Sequence, residues 1–194
     1  MPPRPALTAD RVIDVAADLA DRDGYVNLTL GKVAAALGVR TPSLYNHLDG
    51  LDDLRRRLAV RALTMLGDAL QRAAVGRTSE DAVRSIAVAY RRFAHAHPGL
   101  YATTVPTTEG ADEAIQQAGD ATLRTVLAAI SGYGLREEEA IHATRSVRSA
   151  VHGFVALELA GGFGLPQDVD ASFEWLTELL ATGLRARADD PAAT

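Results

Sequence analysis

A short run of polar and aromatic residues near the amino terminus has the composition of a surface that contacts a nucleic acid. If residues 41–48 form a helix, Leu44 and Leu48 lie four positions apart and face the core. The outward positions then carry a proline, short hydrogen-bonding groups and an aromatic ring: Pro42, Ser43, Tyr45 and Asn46. A merely solvated helix face would normally carry Glu and Lys. These side chains instead suit close approach to the bases and phosphates of a DNA groove.

The residues before this run predict a second helix that holds it in place. Thr29 is an N-cap candidate, and apolar residues follow at helical spacing: Leu30, Val33, Ala34 and Leu37. Gly38 ends this helix, because glycine adopts the left-handed conformation of a helix end at little cost. We expect Thr41 to cap the next helix, with Pro42 at its first position, where the missing N–H costs nothing. The pattern predicts a helix-turn-helix.

An earlier helix completes a three-helix domain. It is predicted to start after Thr8 as N-cap, to run to Asp23 and to end at Gly24.

The net charge of −5 argues at first against a nucleic-acid partner, but its distribution does not. Residues 1–57 contain eight Lys/Arg and eight Asp, whereas the remainder contains twelve Lys/Arg and seventeen Asp/Glu. The excess negative charge therefore lies outside this domain.

Three runs in this segment form a specific signature: Leu37-Gly38-Val39, Ser43-Leu44-Tyr45-Asn46-His47-Leu48 and Asp52-Asp53-Leu54. The signature resembles the DNA-binding domain of the TetR family of transcriptional regulators. The resemblance implies contacts to bases or backbone in the major groove from Arg40, Thr41, Pro42, Ser43 and Tyr45. It implies phosphate contacts from Thr29, Tyr45 and His47. Asn46 joins these candidates because it shares the outward face.

One position departs from the family pattern. Leu51 stands where the family often has a lysine at the start of the following helix. A phosphate contact is therefore expected to be missing, with weaker DNA binding or compensation from Lys32 or Arg55.

The rest of the chain reads as helices without a sheet. Helices are predicted over residues 51–74, 80–97, 100–105, 110–131, 137–160 and from 168 or 170 to 187, with Ser79 capping the second of these. No segment alternates with period two, so the predicted fold class is all-α. We expect two domains: a helix-turn-helix domain over residues 1–50, and a larger ligand-binding and dimerisation domain over residues 51–194. Helix 51–74 would be the connecting lever between them.

Two carboxyl-terminal helices have the pattern of a dimer interface. Small residues that let another helix approach closely recur on one face of the penultimate helix, and apolar residues follow on the last: Gly153, Ala156, Ala160, Phe173, Leu176 and Leu180. Two helices from each chain would form a four-helix bundle. His152-Gly153 and the run from Leu157 to Pro166 also resemble a TetR subgroup named after a Trp-His-Gly signature, with Arg148 where the tryptophan usually stands.

Such a regulator would sense a small-molecule effector in the larger domain. The candidate pocket residues are polar and aromatic: Tyr90, Phe93, His97, Tyr101, His142, Arg145, Ser149 and His152. Each has a structural alternative. Residues such as Tyr90 and Phe93 more often belong to a core than to a pocket, and His152 fits a buried histidine with satisfied hydrogen bonds as well as it fits a ligand contact.

Several classes of function are disfavoured. Without cysteine there is no disulfide, thiolate metal site or thiol redox sensor. No apolar run reaches membrane-span length and no signal core precedes the first helix, so we expect a cytoplasmic protein that does not bind a membrane. No nucleophile elbow, phosphate loop or dinucleotide fingerprint is present, which argues against an enzyme and a cofactor. His95 and His97 are two positions apart, a poor spacing for a metal on a helix.

The sequence therefore predicts a homodimeric DNA-binding regulator, a repressor that leaves a palindromic operator when a ligand binds. The alternative is a helical binding or adaptor protein whose helix-turn-helix no longer binds DNA. A salt series separates the two, because phosphate contacts weaken steeply as salt rises and protein contacts need not.

Overall fold

The described parts of the chain, residues 6–105 and 112–189 of a computed structural model, contain α-helices, two 3-10 helices and no strand. The α-helices are α1 (Ala9–Asp23), α2 (Leu30–Leu37), α3 (Leu51–Ala74), α4 (Ser79–Ala96), α5 (Pro98–Tyr101), α6 (Glu113–Ser131), α7 (Glu137–Leu159) and α8 (Val169–Ala188). The 3-10 helices are Tyr25–Asn27 and Thr41–Asn46. The all-α fold class is confirmed.

The chain divides into two compact units. The amino-terminal unit comprises Met1–Leu63 and His97–Gln116, and the carboxyl-terminal unit comprises Thr64–Ala96 and Gln117–Thr194. α3 passes from the first to the second, so by packing the amino-terminal unit extends beyond residue 50. A division of roles at residues 50 and 51 stays a prediction.

α1 begins and ends where its capping residues predict. The Thr8 hydroxyl accepts a hydrogen bond from the Arg11 N–H at 3.2 Å, which satisfies one free donor of the first turn. Gly24 ends the helix with φ +87°, a conformation that L side chains rarely adopt. Val12, Ala16 and Ala20 are fully buried on the inner face.

A tight contact joins α5 to α1 within the amino-terminal unit. A Cβ atom at Gly99 would lie 2.1 Å from the carbonyl carbon and oxygen of Ala20, so only glycine fits. The Asp21 carboxylate accepts a hydrogen bond from the Leu100 N–H at 2.9 Å and lies 2.9 Å from His97 Nδ1. The start of α5 is thereby held against the last turn of α1.

The core of the carboxyl-terminal unit lies among α4, α7 and α8. Its buried side chains come from one face of each helix: Val83, Ile86, Tyr90 and Phe93; Val147, Val151 and Val155; Phe173, Ala181 and Leu184. The Phe154 ring lies 5.1 Å from that of Phe173 and 4.8 Å from that of Phe163, measured between centroids. These aromatic contacts close the end of the core where the 160–168 loop connects α7 to α8.

Helix bounds from 51 to 189 follow the predictions with four differences. Ser79 is not an N-cap: it is the first residue of α4, with φ +50°, and its hydroxyl donates instead to the Gly132 carbonyl at 2.8 Å. α5 begins at Pro98 rather than Leu100, because proline is well tolerated in the first turn. It also ends at Tyr101 rather than Val105, where the Thr103 and Thr104 hydroxyls donate to the carbonyls of Leu100 and Tyr101 in place of further helical bonds. The predicted start of the next helix at Gly110 lies outside the described residues.

Candidate nucleic-acid interface

α2 and the glycine turn form as expected. The Thr29 hydroxyl accepts a hydrogen bond from the Lys32 N–H at 3.3 Å, and Gly38 adopts the left-handed conformation with φ +66°. The Gly38 N–H bonds to the carbonyls of Ala34 and Ala35, and the Val39 N–H also bonds to Ala34, at 2.9 Å. These bonds satisfy the last carbonyls of α2 and fix the direction in which the chain leaves it.

The recognition segment, Thr41–Asn46, is a 3-10 helix rather than an α-helix. The expectation that Thr41 caps it is wrong. Arg40 occupies the N-cap position without a side-chain bond, and the Ser43 N–H bonds to the Arg40 carbonyl at 2.9 Å. Thr41 is the first helical residue and Pro42 follows it. Because the backbone already supplies the i to i+3 bond, a hydroxyl cap is not needed.

The 3-10 geometry sets which side chains share a face. With three residues per turn, positions i and i+3 are aligned, so Pro42 lies above Tyr45 and Ser43 above Asn46. The inward positions are Leu44, which is fully buried, and Leu48, which is 3% exposed, as predicted. Tyr45 is 58% exposed. Pro42 and Asn46 are also exposed, whereas Thr41, Ser43 and His47 are half-buried.

The cations near this segment have few internal partners. Arg40 is exposed and has no ion-pair partner among the residues that the structure describes. Lys32 is exposed, and its Nζ donates to the Asn27 carbonyl at 2.9 Å. From Gly24 to Leu48 the sequence contains no Asp or Glu. Arg40 therefore keeps its positive charge available to an anionic partner.

A carboxylate anchors the turn that follows the recognition segment. Asp53, 11% exposed, accepts a hydrogen bond from the Asp49 N–H at 3.0 Å. The hydrogen bond from Arg57, together with those from Asp49 and Arg56, lowers the pKa of Asp53 to about 2. Asp53 therefore stays ionised at neutral pH and ties the turn at residues 49–50 to the first turn of α3. The sequence pattern places Asp53 at a helix start but does not reveal this bond.

Two of the candidate pocket residues meet in the carboxyl-terminal unit. The Tyr90 hydroxyl lies 2.9 Å from His152 Nδ1, with the rings edge to face. Tyr90 is 8% exposed and Phe93 6% exposed, as the core interpretation expects. Burial lowers the pKa of His152, and the nearby charge of Arg148 lowers it further, so the imidazole is neutral at neutral pH. Ligand binding by these residues stays a prediction.

The other pocket candidates lie on α7 and in the amino-terminal unit. His142, Arg145 and Ser149 are exposed on α7. His142 lines an open groove of about 600 Å³ between α7 and α8, together with Leu180 and Arg187. His97 and Tyr101 belong to the amino-terminal unit, where His97 contacts Asp21.

The candidate interface residues divide into exposed and buried positions. Ala156 and Ala160 are exposed, and Gly153, Leu176 and Leu180 are half-buried. Phe173 is only 3% exposed, because it packs on Phe154 and beneath the Arg91 guanidinium at 4.8 Å. We therefore exclude Phe173 from the interface candidates. Trp175 and Leu179, missed in the sequence, are 69% and 59% exposed on the same helix. Their i, i+4 spacing was the available signal.

Comparisons with known proteins agree with this architecture. Residues 83–180 match the family described as the tetracyclin repressor-like, C-terminal domain. The HTH-type transcriptional regulator Rv0681 of Mycobacterium tuberculosis is 39% identical, over 95% of this chain and 85% of its own length. The HTH-type transcriptional regulator YobS of Bacillus subtilis is 36% identical, over 95% of this chain and 96% of its own. A solved protein from Rhodococcus sp. RHA1 shares the fold, with TM-score 0.79, 24% identity and coverage of 95% and 100%.

The helix-turn-helix, its exposed recognition face and these relatives define a DNA-binding transcriptional regulator. The chain belongs to the TetR family. The more specific resemblance to the Trp-His-Gly subgroup stays a prediction. Within the described residues, no group of three His, Cys, Asp or Glu side chains is placed to hold a metal ion. No helix in those same ranges is long and apolar enough to cross a membrane.

Proposed function

We propose that this regulator is a repressor that binds a palindromic operator as a homodimer and is released when a small molecule binds its carboxyl-terminal unit. The observation that carries the proposal is the exposed face of the recognition segment. Tyr45 and Asn46 project from a support that is fully packed underneath by Leu44 and Leu48. A rigid support with exposed hydrogen-bonding groups suits readout of base edges in the major groove.

The contacts divide by chemistry. Pro42, Ser43, Tyr45 and Asn46 supply the groups that would approach base edges. Positive charge for phosphates comes from Arg40 and Lys32. Hydrogen-bond donors for phosphates come from Thr29 and His47. Thr41 lies next to both groups and could contact either a base or the backbone. The Thr29 hydroxyl accepts the Lys32 N–H and therefore keeps its own hydrogen available for a phosphate oxygen.

Exposed apolar groups on α7 and α8 support dimerisation. Trp175 and Leu179 project into solvent beside the half-buried Leu176 and Leu180. A Cβ atom at Gly153 or Gly183 would meet nothing within 4 Å, so both helices leave room for a partner helix. A two-fold dimer would place two recognition segments on half-sites roughly 34–36 Å apart, or a multiple of that.

Replacing Leu179 by Asp should convert the dimer to monomer in sedimentation equilibrium.

Release by a ligand requires that the ligand bind one of two states more tightly than the other. The Tyr90 and His152 pair supports a pocket in the carboxyl-terminal unit, because a neutral imidazole and a phenol can exchange their mutual bond for bonds to a ligand. The identity of that effector must come from the genes that the operator controls.

The test is selection of random DNA fragments on purified wild-type protein, with Tyr45→Ala in parallel. Enrichment of a palindrome that the variant does not enrich supports the proposal. Enrichment of the same palindrome by the variant would contradict the assignment of the recognition segment. The absence of any enrichment with wild-type protein would favour an adaptor that binds protein instead.

A further inference from the structure

Three consecutive arginines lie one turn into α3, and two of them are used inside the protein. Arg57 Nε donates to the two oxygens of Asp53 at 3.1 and 3.0 Å. Arg56 donates to Asp53 at 3.0 Å and to Asp112 at 3.3 Å. Because Asp53 is largely buried, these bonds serve the fold and fix the first turn of α3.

Arg55 is held much more loosely. Its ion-pair partner within the described ranges is Asp52 alone, at 3.6 Å, and the Asp52 side chain is 97% exposed. Arg55 Nε is buried without a hydrogen-bond partner there, whereas 40% of the whole side chain is exposed. An exposed pair with this geometry contributes little to stability. The guanidinium can therefore exchange Asp52 for another anion at little cost.

The charges at the start of α3 act on the segment that leads into α2. The pKa of Tyr25 is raised mainly by burial, while the charge of Arg55 lowers it and the charge of Asp52 raises it. In the same 3-10 helix, the Asn27 carbonyl accepts a hydrogen bond from Lys32 Nζ. A second cation, Lys32, therefore lies beside residues 25–27, immediately before Thr29.

The direction of helical side chains turns Arg55 toward the start of α3, the end of the helix that follows the recognition segment. Side chains on an α-helix incline toward its amino terminus, so Arg55 extends over Leu51 and Asp52, in agreement with the Asp52 pair. α3 begins three residues after Leu48, and Leu51 itself carries no charge. Arg55 is thus the first cation of α3 after the recognition segment.

We propose that Arg55 binds a phosphate of the DNA backbone beside the groove that the recognition segment enters, exchanging Asp52 for the phosphate. This inference rests on the proposed DNA-binding function. Asp52 has the opposite effect: it holds Arg55 in the free protein and repels the incoming phosphate. The contact adds affinity without reading sequence, because every nucleotide carries the same phosphate.

The test compares affinities for two duplexes of about 30 base pairs, enough for two half-sites one helical turn apart. One is selected on wild-type protein and the other has the same bases in scrambled order. Binding is measured by fluorescence anisotropy from about 50 to 200 mM salt. Arg55→Gln is expected to weaken binding to both duplexes on the order of tenfold per bound protomer. The salt slope should fall by about 0.9 for each phosphate that the variant no longer neutralises.

Asp52→Asn should act in the opposite direction and strengthen binding to both duplexes. Arg55→Lys keeps the charge and should retain the wild-type salt slope. Arg61→Gln is the matched control, because it removes an arginine from the same helix whose charge is already paired with Asp14. Its salt slope should equal that of wild type. Thermal unfolding of each variant verifies that the amino-terminal unit remains folded.

An unchanged salt slope in Arg55→Gln would overturn the inference, and so would an equal change in Arg61→Gln. If Tyr45→Ala lost the selected duplex while Arg55→Gln kept its affinity and slope, only the Arg55 inference would fall. If wild-type protein bound neither duplex, both the proposed function and the Arg55 inference would fail.

Discussion

Two arginines, one in each compact unit of this protein, are placed in opposite ways. In the carboxyl-terminal unit, Arg91 is bound to Glu158 and Asp170 and covers the Phe173 ring at 4.8 Å, with only 18% of its side chain exposed. In the amino-terminal unit, Arg40 is exposed beside the recognition segment and lacks an acidic partner in the described residues. The internal pairs of Arg91 stabilise the fold, whereas the charge of Arg40 is left available to the external partner that we propose. Substitutions at the two kinds of site should therefore affect different measurements.

Gly99→Ala should have the largest effect on the fold. The added Cβ would lie 2.1 Å from the backbone of Ala20, which no side-chain movement can relieve. We expect the amino-terminal unit to lose about 3 kcal/mol of stability or more, measured by chemical denaturation. Gly76→Ala is a useful control, because a Cβ there meets nothing and only its positive φ of +71° opposes the change. Equal stability of Gly99→Ala and wild type would contradict the close packing of α5 on α1.

Arg91→Gln should make stability less dependent on pH. Hydrogen bonding to Arg91, assisted by His95, lowers the pKa of Glu158 to about 2. A carboxyl with a lowered folded pKa stabilises the protein above its unfolded pKa, and this contribution is lost as the pH falls toward the folded value. Wild type should therefore lose roughly 2 kcal/mol between about pH 5 and pH 2 through this group.

The variant should show a smaller loss over that interval and lower stability at pH 7, measured by urea denaturation at each pH. A profile parallel to that of wild type would mean that Arg91 does not set the ionisation of Glu158. DNA affinity at pH 7 is the contrasting measurement, because Arg91 and Glu158 belong to the carboxyl-terminal unit, whereas the recognition segment belongs to the amino-terminal unit. A folded variant should therefore bind DNA normally.

Arg40→Gln should show the reverse pattern. Since Arg40 lacks an internal ion pair within the described ranges, the free energy of unfolding should stay within about 0.5 kcal/mol of wild type. DNA affinity should fall on the order of tenfold, because the variant cannot form a charge-assisted hydrogen bond to phosphate. Titration calorimetry or anisotropy measures the affinity, and denaturation measures the stability. Reduced stability with unchanged affinity would place Arg40 among the residues that serve the fold.

Leu51→Lys should have the smallest effect and the opposite sign. The new ammonium group would stand at the start of α3, where the family often has a lysine, and should bind a further phosphate. We expect tighter binding, with the salt slope larger by about 0.9 for each additional phosphate bound. Leu51→Gln, which adds a polar group without charge, is the matched control. An unchanged slope in Leu51→Lys would show that no phosphate lies near this position.

The features that the sequence predicts well depend on local chemistry. Both helix starts are capped as expected, by Thr8 and Thr29, and both helices end as expected, at Gly24 and Gly38. These positions are predictable because capping involves residues only three or four positions apart. The bounds of α3 follow from the glycine turn before it and its continuous helical pattern. The inward Leu44 and Leu48 follow from spacing alone.

The features that the sequence does not reveal depend on contacts between distant residues or on small differences in backbone geometry. Asp21 meets His97 across 76 positions, which no local pattern indicates. Phe173 and Trp175 both lie on an apolar helix, and only the packed fold shows that the first is buried and the second exposed. The recognition segment is a 3-10 helix, with backbone hydrogen bonds between residues three apart instead of the four of an α-helix. The sequence pattern does not distinguish these two cases.

The most direct test of DNA recognition by this face is to measure two quantities for Tyr45→Ala: its affinity for the selected duplex and its free energy of unfolding. Because Tyr45 is 58% exposed on a packed support, we expect at least a tenfold loss of affinity with stability within about 0.5 kcal/mol of wild type. Wild-type affinity in this variant, or a loss of affinity that only follows a loss of stability, would contradict the claim that this face is reserved for DNA.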